Sequence, residues 1–490
     1  MPFSLIHAPV GVIDIGSNSV RLVIYDALKR HMRPIFNEKM LCGLGSDLSR
    51  TGRLPVKGAK EAQACFKRYV RIAQALPVVQ LRAIATAALR DASDGDLFIA
   101  LLEQENGVPV EIISGDEEAR LAALGVYSTL FEPRGLAGDL GGGSLELSVL
   151  NGPTLGPRAS LPLGVLRLWQ QAGNDVPKLR GMVGEAIEKL PWITQSDCPE
   201  FYAIGGSFRA LARIHMRRVN YPLRLLHQYH ISRRELKKFT DDMLRLNLHA
   251  LSTLKGMPAE RAHMFIPSLI ALQTIIDYAN IEEVVVCAGG IREGLLFDEL
   301  PQDEQCKDPL QAFVEDILPE YRTSSEYPEA LCQWLTPLVK RAPDVPMRLV
   351  RAFCYLSDAA IGMHPECRAQ WAFDLVLYSS LNGITHRQRV WLALAMYHRY
   401  RSKLKLNHPA LSLLSEHELA SARLLGSGAA MAYLLSGGAA QLLAIFDLSL
   451  TGERITLKPD DEVRITDEET REKLLEGLGE SLKALSSRSK

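Results

Sequence analysis

The feature that most narrows what this chain can fold into is a pattern written twice. Asp14-Ile-Gly-Ser-Asn-Ser-Val-Arg-Leu22 returns as Asp139-Leu-Gly-Gly-Gly-Ser-Leu-Glu-Leu147. Asp14 falls over Asp139, Gly16 over Gly141, Ser19 over Ser144 and Leu22 over Leu147, all at one constant spacing. Each copy is an apolar run ending in Asp, a Gly/Ser turn, then an alternating segment, VRLVIYD or LELSVL. Alternation with period two predicts a strand after the turn. A P-loop or dinucleotide-binding glycine loop must open a helix, so neither fits here. Strand, turn, strand is a hairpin, and a tip of Gly and Ser exposes backbone N–H groups and hydroxyls as a nest for anions. Two such hairpins from duplicated domains would face one another across a cleft and grip phosphate from both sides.

The surrounding pattern is alternating α/β. GVIDIG and LRAIAT read as strands around the amphipathic helix VKGAKEAQACFKRYVRIAQAL; after a linker at Phe131–Gly135, LAGDLG, FYAIGG and EEVVVCAGG read as further strands. Beyond about Pro301 the periodicity turns helical to about Ala440, and AIFDLSLTGERITLKPDD reads as a small β element before a last helix. A length of 490 residues fits about three domains. At 47% hydrophobic and 23% charged, the composition excludes disorder, collagen and coiled-coil rods. A net charge of −1 argues against a uniformly basic nucleic-acid binder. The eight cysteines are scattered without a C-x-x-C pair, which predicts reduced thiols. The N-terminus MPFSLIHAPVGVIDIG lacks a basic signal region, so a cytoplasmic protein without a signal peptide is expected. Leu424–Phe446 is uncharged and about long enough to span a bilayer, but its Ser436-Gly437-Gly438 and Gln441 predict a buried helix pair broken at the glycines, not a membrane segment.

Seven segments together resemble one family: GVIDIGSNSVRL, ATAALRDA, ISGDEEARL, GDLGGGSLEL, SLPLGVLRL, AIGGSFRALA and GGIREGLL. The chain resembles the exopolyphosphatase/guanosine pentaphosphate phosphatase family of the actin-like ATPase superfamily, densely over about the first 300 residues and more loosely beyond. The resemblance implies two duplicated actin-like (ribonuclease H-like) α/β domains, 1–133 and 134–303. It further implies an all-α HD-like domain at 304–440 and a small α+β element at 441–490. An HD-type metal site needs a His-Asp pair; the matching positions are Ser357 and Asp358, so no second metal is expected, and His364 and His386 are read as structural.

Asp14, Asp139 and Glu146 put carboxylates at the two hairpins, hard oxygen donors suited to Mg²⁺ or Mn²⁺. Arg21 occupies in the first copy the place of Glu146 in the second, so one jaw offers phosphate a cation and the other offers metal a carboxylate. Ser17, Asn18 and Ser19, then Gly141, Gly142, Gly143 and Ser144, are the expected phosphate cradle, with Thr86, Gly206 and Ser207 as further contacts. Arg90 suits a planar grip on phosphate oxygens. Ser114 and Glu117 fit a capping box, whereas Glu118 matches the family's catalytic Glu in S-G-x-x-E-A-R and is assigned as general base. Two positions depart from the family pattern: Leu145 stands where Thr is usual, and Arg261-Ala-His263 with Ser268 where R-x-D-x-x-x-x-G is usual.

Gly205-Gly206 and Gly289-Gly290 leave a nucleotide phosphotransferase open; Glu118 with Arg90 favours water as the acceptor. Residues 201–270 hold 12 Lys and Arg against 4 Asp and Glu, and 384–405 hold six basic residues and no acid, stretches that could guide a long polyanion. The expected activity is release of orthophosphate from inorganic polyphosphate. The alternatives are hydrolysis of guanosine pentaphosphate to the tetraphosphate, or a regulator that binds either without hydrolysis. A homodimer is expected from the resemblance alone.

Overall fold

A computed structural model describes residues 8–196, 198–257, 259–317, 326–403, 406–452, 454–458 and 468–486. Met1–His7 and Lys405, which entered the signal-peptide and basic-stretch readings, lie outside the described residues. The chain forms two compact units, Met1–Lys307 and Asp308–Lys490.

The first unit holds two sheets. β1 (Val10–Ile15), β2 (Ser19–Tyr25), β3 (Pro34–Leu41), β4 (Gln80–Ala85) and β5 (Val110–Ile112) are ordered β3-β2-β1-β4-β5. β6 (Arg134–Leu140), β7 (Leu145–Asn151), β8 (Thr154–Leu161), β9 (Glu200–Ile204), β10 (His230–Ser232) and β11 (Glu283–Val286) are ordered β10-β11-β9-β6-β7-β8. In each sheet an antiparallel three-strand meander continues into two parallel strands, and the second adds β10 antiparallel at its edge. The two hairpins read from the sequence have matching registers: Asp14 opposes Arg21, and Asp139 opposes Glu146. Both turns close with the same bond, Gly16 N–H to Ser19 O and Gly141 N–H to Ser144 O, each 3.0 Å.

The helices that matter here are α1 (Val56–Ala75), α2 (Ala87–Asp91), α3 (Gly115–Thr129), α4 (Val165–Ala172), α5 (Gly205–Arg218), α6 (Phe265–Tyr278) and α7 (Ile291–Asp298). α1 covers one face of the first sheet, packing Phe66 and Tyr69 on Ile13 and Leu22. α5 and α6 cover one face of the second, with Phe208 and Ile270 in the cluster of Leu147 and Phe201. α3 and α7 form a shared middle layer. Leu121 and Leu295 pack on the first sheet with Val12 and Val23, while Val126 and Phe297 pack on the second with Tyr202 and Val285. Such a layer needs close backbones, and glycines permit it: a Cβ at Gly125 would lie 2.2 Å from Gly290 O, and one at Gly294 would lie 1.8 Å from Leu121 O. Because both neighbours are backbone, Gly294→Ala is expected to cost about 1–3 kcal/mol by overpacking, read as a lower urea midpoint with unchanged m-value.

The capping box expected at α3 is only half formed. Ser114 Oγ accepts from Glu117 N–H at 3.1 Å, but the Glu117 carboxylate turns away to Arg120, which donates to both of its oxygens at 2.8 Å. A bidentate charge-assisted pair outweighs a single bond to a backbone N–H.

The second unit is helical: α8 (Met347–Leu356), α9 (Arg368–Tyr378), α10 (His386–Tyr400), α11 (Glu416–Ser436) and α12 (Glu468–Ser486), with the hairpin β12 (Asp447–Thr451) and β13 (Arg454–Lys458). The uncharged stretch is buried helix that stops at Gly437, whose φ of 60° sets a left-handed cap, before a short helix Ala440–Leu443. Among the described residues no helix is long and apolar enough to cross a membrane. The basic stretch is not the surface track expected from sequence. Arg389 is buried and donates to the carbonyls of Val376, Leu377, Ser379 and Leu381, satisfying the end of α9. Arg399 is buried against Asp358 at 3.3 Å, and Arg387 pairs with Glu418 at 2.6 Å. Asp358, the carboxylate at the position matching an HD-type metal pair, therefore faces an internal guanidinium.

Candidate active site

The two hairpin tips meet in one cavity of about 180 Å³ in the first unit. Asp14, Ser17, Asn18, Ser19, Arg21, Thr86 and Glu118 line it together with Asp139, Gly141, Gly142, Gly143, Ser144, Gly206 and Ser207. Arg90 and Glu146 stand behind this wall. Arg90 opens onto an adjoining cavity that shares Ser17, Gly142, Gly143 and Ser144 with the first, and Glu146 is buried beside Ser160, whose hydroxyl donates to it at 2.8 Å.

Backbone hydrogen bonding explains why the tips can take anions. The carbonyls of the first tip are tied back: Gly45 N–H donates to Ser17 O at 2.7 Å, and Cys42 and Gly43 N–H to Asn18 O at 3.1 and 3.2 Å. In the second tip, Val165 and Leu166 N–H, at the start of α4, donate to Gly141 O and Gly142 O at 3.0 Å. Among the described residues, the N–H groups of Ser17, Asn18, Gly142 and Gly143 have no backbone acceptor. Carbonyls turned outward and N–H groups left over make a nest for anionic oxygens.

Charge divides the cavity into two walls. One is cationic, formed by Arg21, Arg209 and Arg292. Arg209 and Arg292 were missed from sequence as site residues, although each sits just past a Gly-Gly pair that ends a strand (Gly205-Gly206, Gly289-Gly290). Each is in the first helical turns of α5 or α7, which aims it back at the cavity. Burial and the neighbouring Arg292 and Arg21 pull the Arg209 guanidinium down to about 10. Burial opposes the charge of Arg292 too, but Glu293 and Asp14 hold its pKa above the usual value. Its Nη1 donates to Asp14 Oδ2 at 2.7 Å, while its buried Nε has no partner. Asp14, expected as a metal anchor, thus has one oxygen committed to Arg292.

The other wall is anionic. Burial pushes Glu118 up to about 7, with Arg90 opposing and Asp139 and Asp14 adding to the rise. Burial raises Asp139 to about 6, partly offset by Arg209. Burial raises Glu146 well above the carboxylate range, and Glu118 and Asp139 push it further. Asp139 thus raises Glu118, and both raise Glu146, and the all-oxygen donors of this wall fit a hard divalent ion. Arg90 serves the base and not the open cavity: its Nη1 donates to Glu118 Oε2 at 3.1 Å and to Ile113 O at 2.9 Å. Thr86, the residue before α2, lines the cavity itself. Gly205 is required here: at φ 90° any Cβ would lie 2.4 Å from Asp139 Oδ1.

The Ppx/GppA phosphatase family matches residues 23–303, and the C-terminal exopolyphosphatase family matches residues 341–471. Exopolyphosphatase 1 of Mycobacterium tuberculosis is 27% identical over 308 residues, 60% of this chain and 89% of that protein. The guanosine-5'-triphosphate,3'-diphosphate pyrophosphatase of Aliivibrio fischeri is 25% identical over 444 residues, 86% of this chain and 87% of that one. The crystal structure of the Aquifex aeolicus Ppx/GppA family member superposes with a TM-score of 0.53 at 25% identity, covering 60% of this chain and 97% of its own. An exopolyphosphatase structure from Cytophaga hutchinsonii shares the fold at a TM-score of 0.55 and 23% identity, over 59% of this chain and 96% of its own. The chain belongs to the Ppx/GppA phosphatase family.

Proposed function

We propose that this chain is an exopolyphosphatase that releases orthophosphate from the end of inorganic polyphosphate. The observation that carries the reading is the pairing of two N–H nests and three arginines with a buried carboxylate, Glu118, in one cavity. The terminal phosphoryl group lies in the nests of Ser17–Ser19 and Gly141–Ser144, and Arg21, Arg209 and Arg292 take the charge of its oxygens. Glu118, oriented by Arg90, accepts a proton from water as that oxygen bonds to the terminal phosphorus. The bridging P–O bond breaks, and its electron pair leaves with the shortened chain. Asp139 and the remaining oxygen of Asp14, which line the cavity, would hold Mg²⁺ or Mn²⁺, which when bound neutralises phosphate charge. The matching order and turn bonding of the two sheets support reading them as copies of one actin-like unit.

Guanosine pentaphosphate is the second reading, favoured by one feature: Met257, Met264 and Phe265 give the same cavity an apolar wall that a base could lie against. Phosphate release from long polyphosphate, tripolyphosphate and guanosine pentaphosphate, each with Mg²⁺ or Mn²⁺, separates the two. Turnover of polyphosphate is expected to be fastest; release from guanosine pentaphosphate alone reverses the order, and release from none leaves a binding protein.

Metal should act through the raised carboxylates. Asp139 ionises near 6, so it is charged at pH 8 and largely protonated at pH 5. Mg²⁺ or Mn²⁺ is therefore expected to raise the melting temperature more at pH 8 than at pH 5. Asp139→Asn should remove most of that difference; an equal rise at both pH values counts against Asp139 as a ligand.

A further inference from the structure

A second group of metal-binding side chains lies at the other end of the second sheet. Glu200 and Glu283 are the first residues of β9 and β11, whereas the Gly-Gly turns of the active cavity follow the last residues of those strands. Glu200 and Glu283 are direct partners in the parallel register, so their side chains share one face. Like charges placed directly opposite in a sheet destabilise it unless something lies between them. On β10, Ser232 opposes Glu283, which puts His230, two residues away, on that same face. One ligand atom from each of Glu200, His230 and Glu283 lies within 4.8 Å of the other two.

The groups around the three are arranged as outer partners of metal ligands usually are. His230 Nδ1 is 2.9 Å from Glu283 Oε2, and its Nε2 is 3.5 Å from Gln228 Oε1. In the tautomer with its proton on Nε2, on the side of Gln228, the ring turns the Nδ1 lone pair toward the Glu283 carboxylate, and a cation fits between the two acceptors. The Tyr202 hydroxyl donates to Glu200 Oε2 and fixes that carboxylate, leaving its other oxygen available. The side chains of His230 and Glu283 are 29% and 39% exposed, which gives an ion an entry path and room for water ligands.

We propose that Glu200, His230 and Glu283 form a divalent-cation site, separate from the catalytic cavity, that clasps β9, β10 and β11 together. One imidazole and two carboxylates suit Zn²⁺ or Mn²⁺ and neutralise a 2+ charge, unlike the all-oxygen set at the hairpins. The role is structural, because the two strands that carry the glutamates lead directly into α5 and into the turn before α7.

The test is calorimetric titration of Zn²⁺ and of Mn²⁺ alone into the full chain, its His230→Ala and Glu283→Gln variants, and Asp139→Asn, with melting curves in parallel. The expected result is a saturable site that the first two substitutions weaken tenfold or more and Asp139→Asn leaves in place. The rise in melting temperature with metal should be reduced in His230→Ala and Glu283→Gln and retained in Asp139→Asn, and His230→Ala should keep phosphate release within about twofold. Saturable binding whose stoichiometry is unchanged in both His230→Ala and Glu283→Gln, or that is lost wholly in Asp139→Asn, overturns the assignment. So does the absence of saturable binding. Should His230→Ala melt early without metal, Glu283→Gln, which preserves side-chain size, decides the question.

Discussion

Glu118→Gln is expected to leave a folded protein whose phosphate release falls by roughly 10²–10⁴-fold, the range a positioned general base contributes. The amide keeps the size of the carboxylate and can still meet Arg90, so substrate binding should change little and the loss should fall on kcat. The pH dependence has a definite sign. With its pKa raised to about 7, the base is ionised only above that value, so the parent's rate should climb as pH passes 7 and level off beyond. The same shift acts on stability in the opposite direction: a carboxyl whose folded pKa exceeds its unfolded value loses stability for the protein as pH rises from the ordinary carboxylate range through about 7. Removing that ionisation should make Glu118→Gln lose less stability than the parent between pH 5 and pH 8. A variant that turns over within about threefold of the parent would show that Glu118 is not the base.

Arg292→Leu is expected to be the most destabilising single change in the cavity, at about 3–5 kcal/mol, because it strands buried carboxylates without their cation. Arg292 bonds Asp14 at 2.7 Å and offsets Glu293, which is held below its usual value by Arg292, Tyr25 and the Gly290 backbone against the cost of burial. The loss should be larger at pH 8 than at pH 5, since acid can neutralise the stranded groups. Arg292→Lys keeps a charge but not the planar fork, and should recover part of the stability and less of the activity. Chemical denaturation at the two pH values is the measurement. An Arg292→Leu loss below about 1 kcal/mol would mean that Asp14 and Glu293 find other partners.

The sequence made the hairpins legible because their residues carry two signals at once, strand alternation and turn chemistry. Val20–Leu22 and Leu145–Leu147 had to alternate to face a core, and Gly16 and Gly141 had to turn. The cationic wall was hidden for the opposite reason. Arg209 and Arg292 belong to helices whose other side chains follow the core period, and nothing local tells an inward arginine from a solvated one. Only the packing of α5 and α7 against the sheets makes them converge. The 384–405 stretch failed in the same way: charge counting treats Arg389 and Arg399 as surface, whereas their guanidinium groups satisfy buried carbonyls and Asp358. Glu117 shows a third case, in which a correct helix start carried a wrong side-chain partner because Arg120, one turn on, competed better.

The glycine crossing between α3 and α7 divides the chain's glycines for anyone who would engineer a hardier enzyme. Gly181 and Gly479 are helical and have nothing within 4 Å of an added methyl group, so alanine there should add roughly 0.4–1 kcal/mol each by restraining the unfolded chain. At Gly125, Gly289 and Gly294 the same methyl would collide with main-chain oxygens 1.8 to 2.2 Å away. Glu118 and Arg292 are spaced by that main-chain contact. A library that randomises the middle layer would therefore lose its active members at these glycines first, and improvement has to be sought on the outer helices.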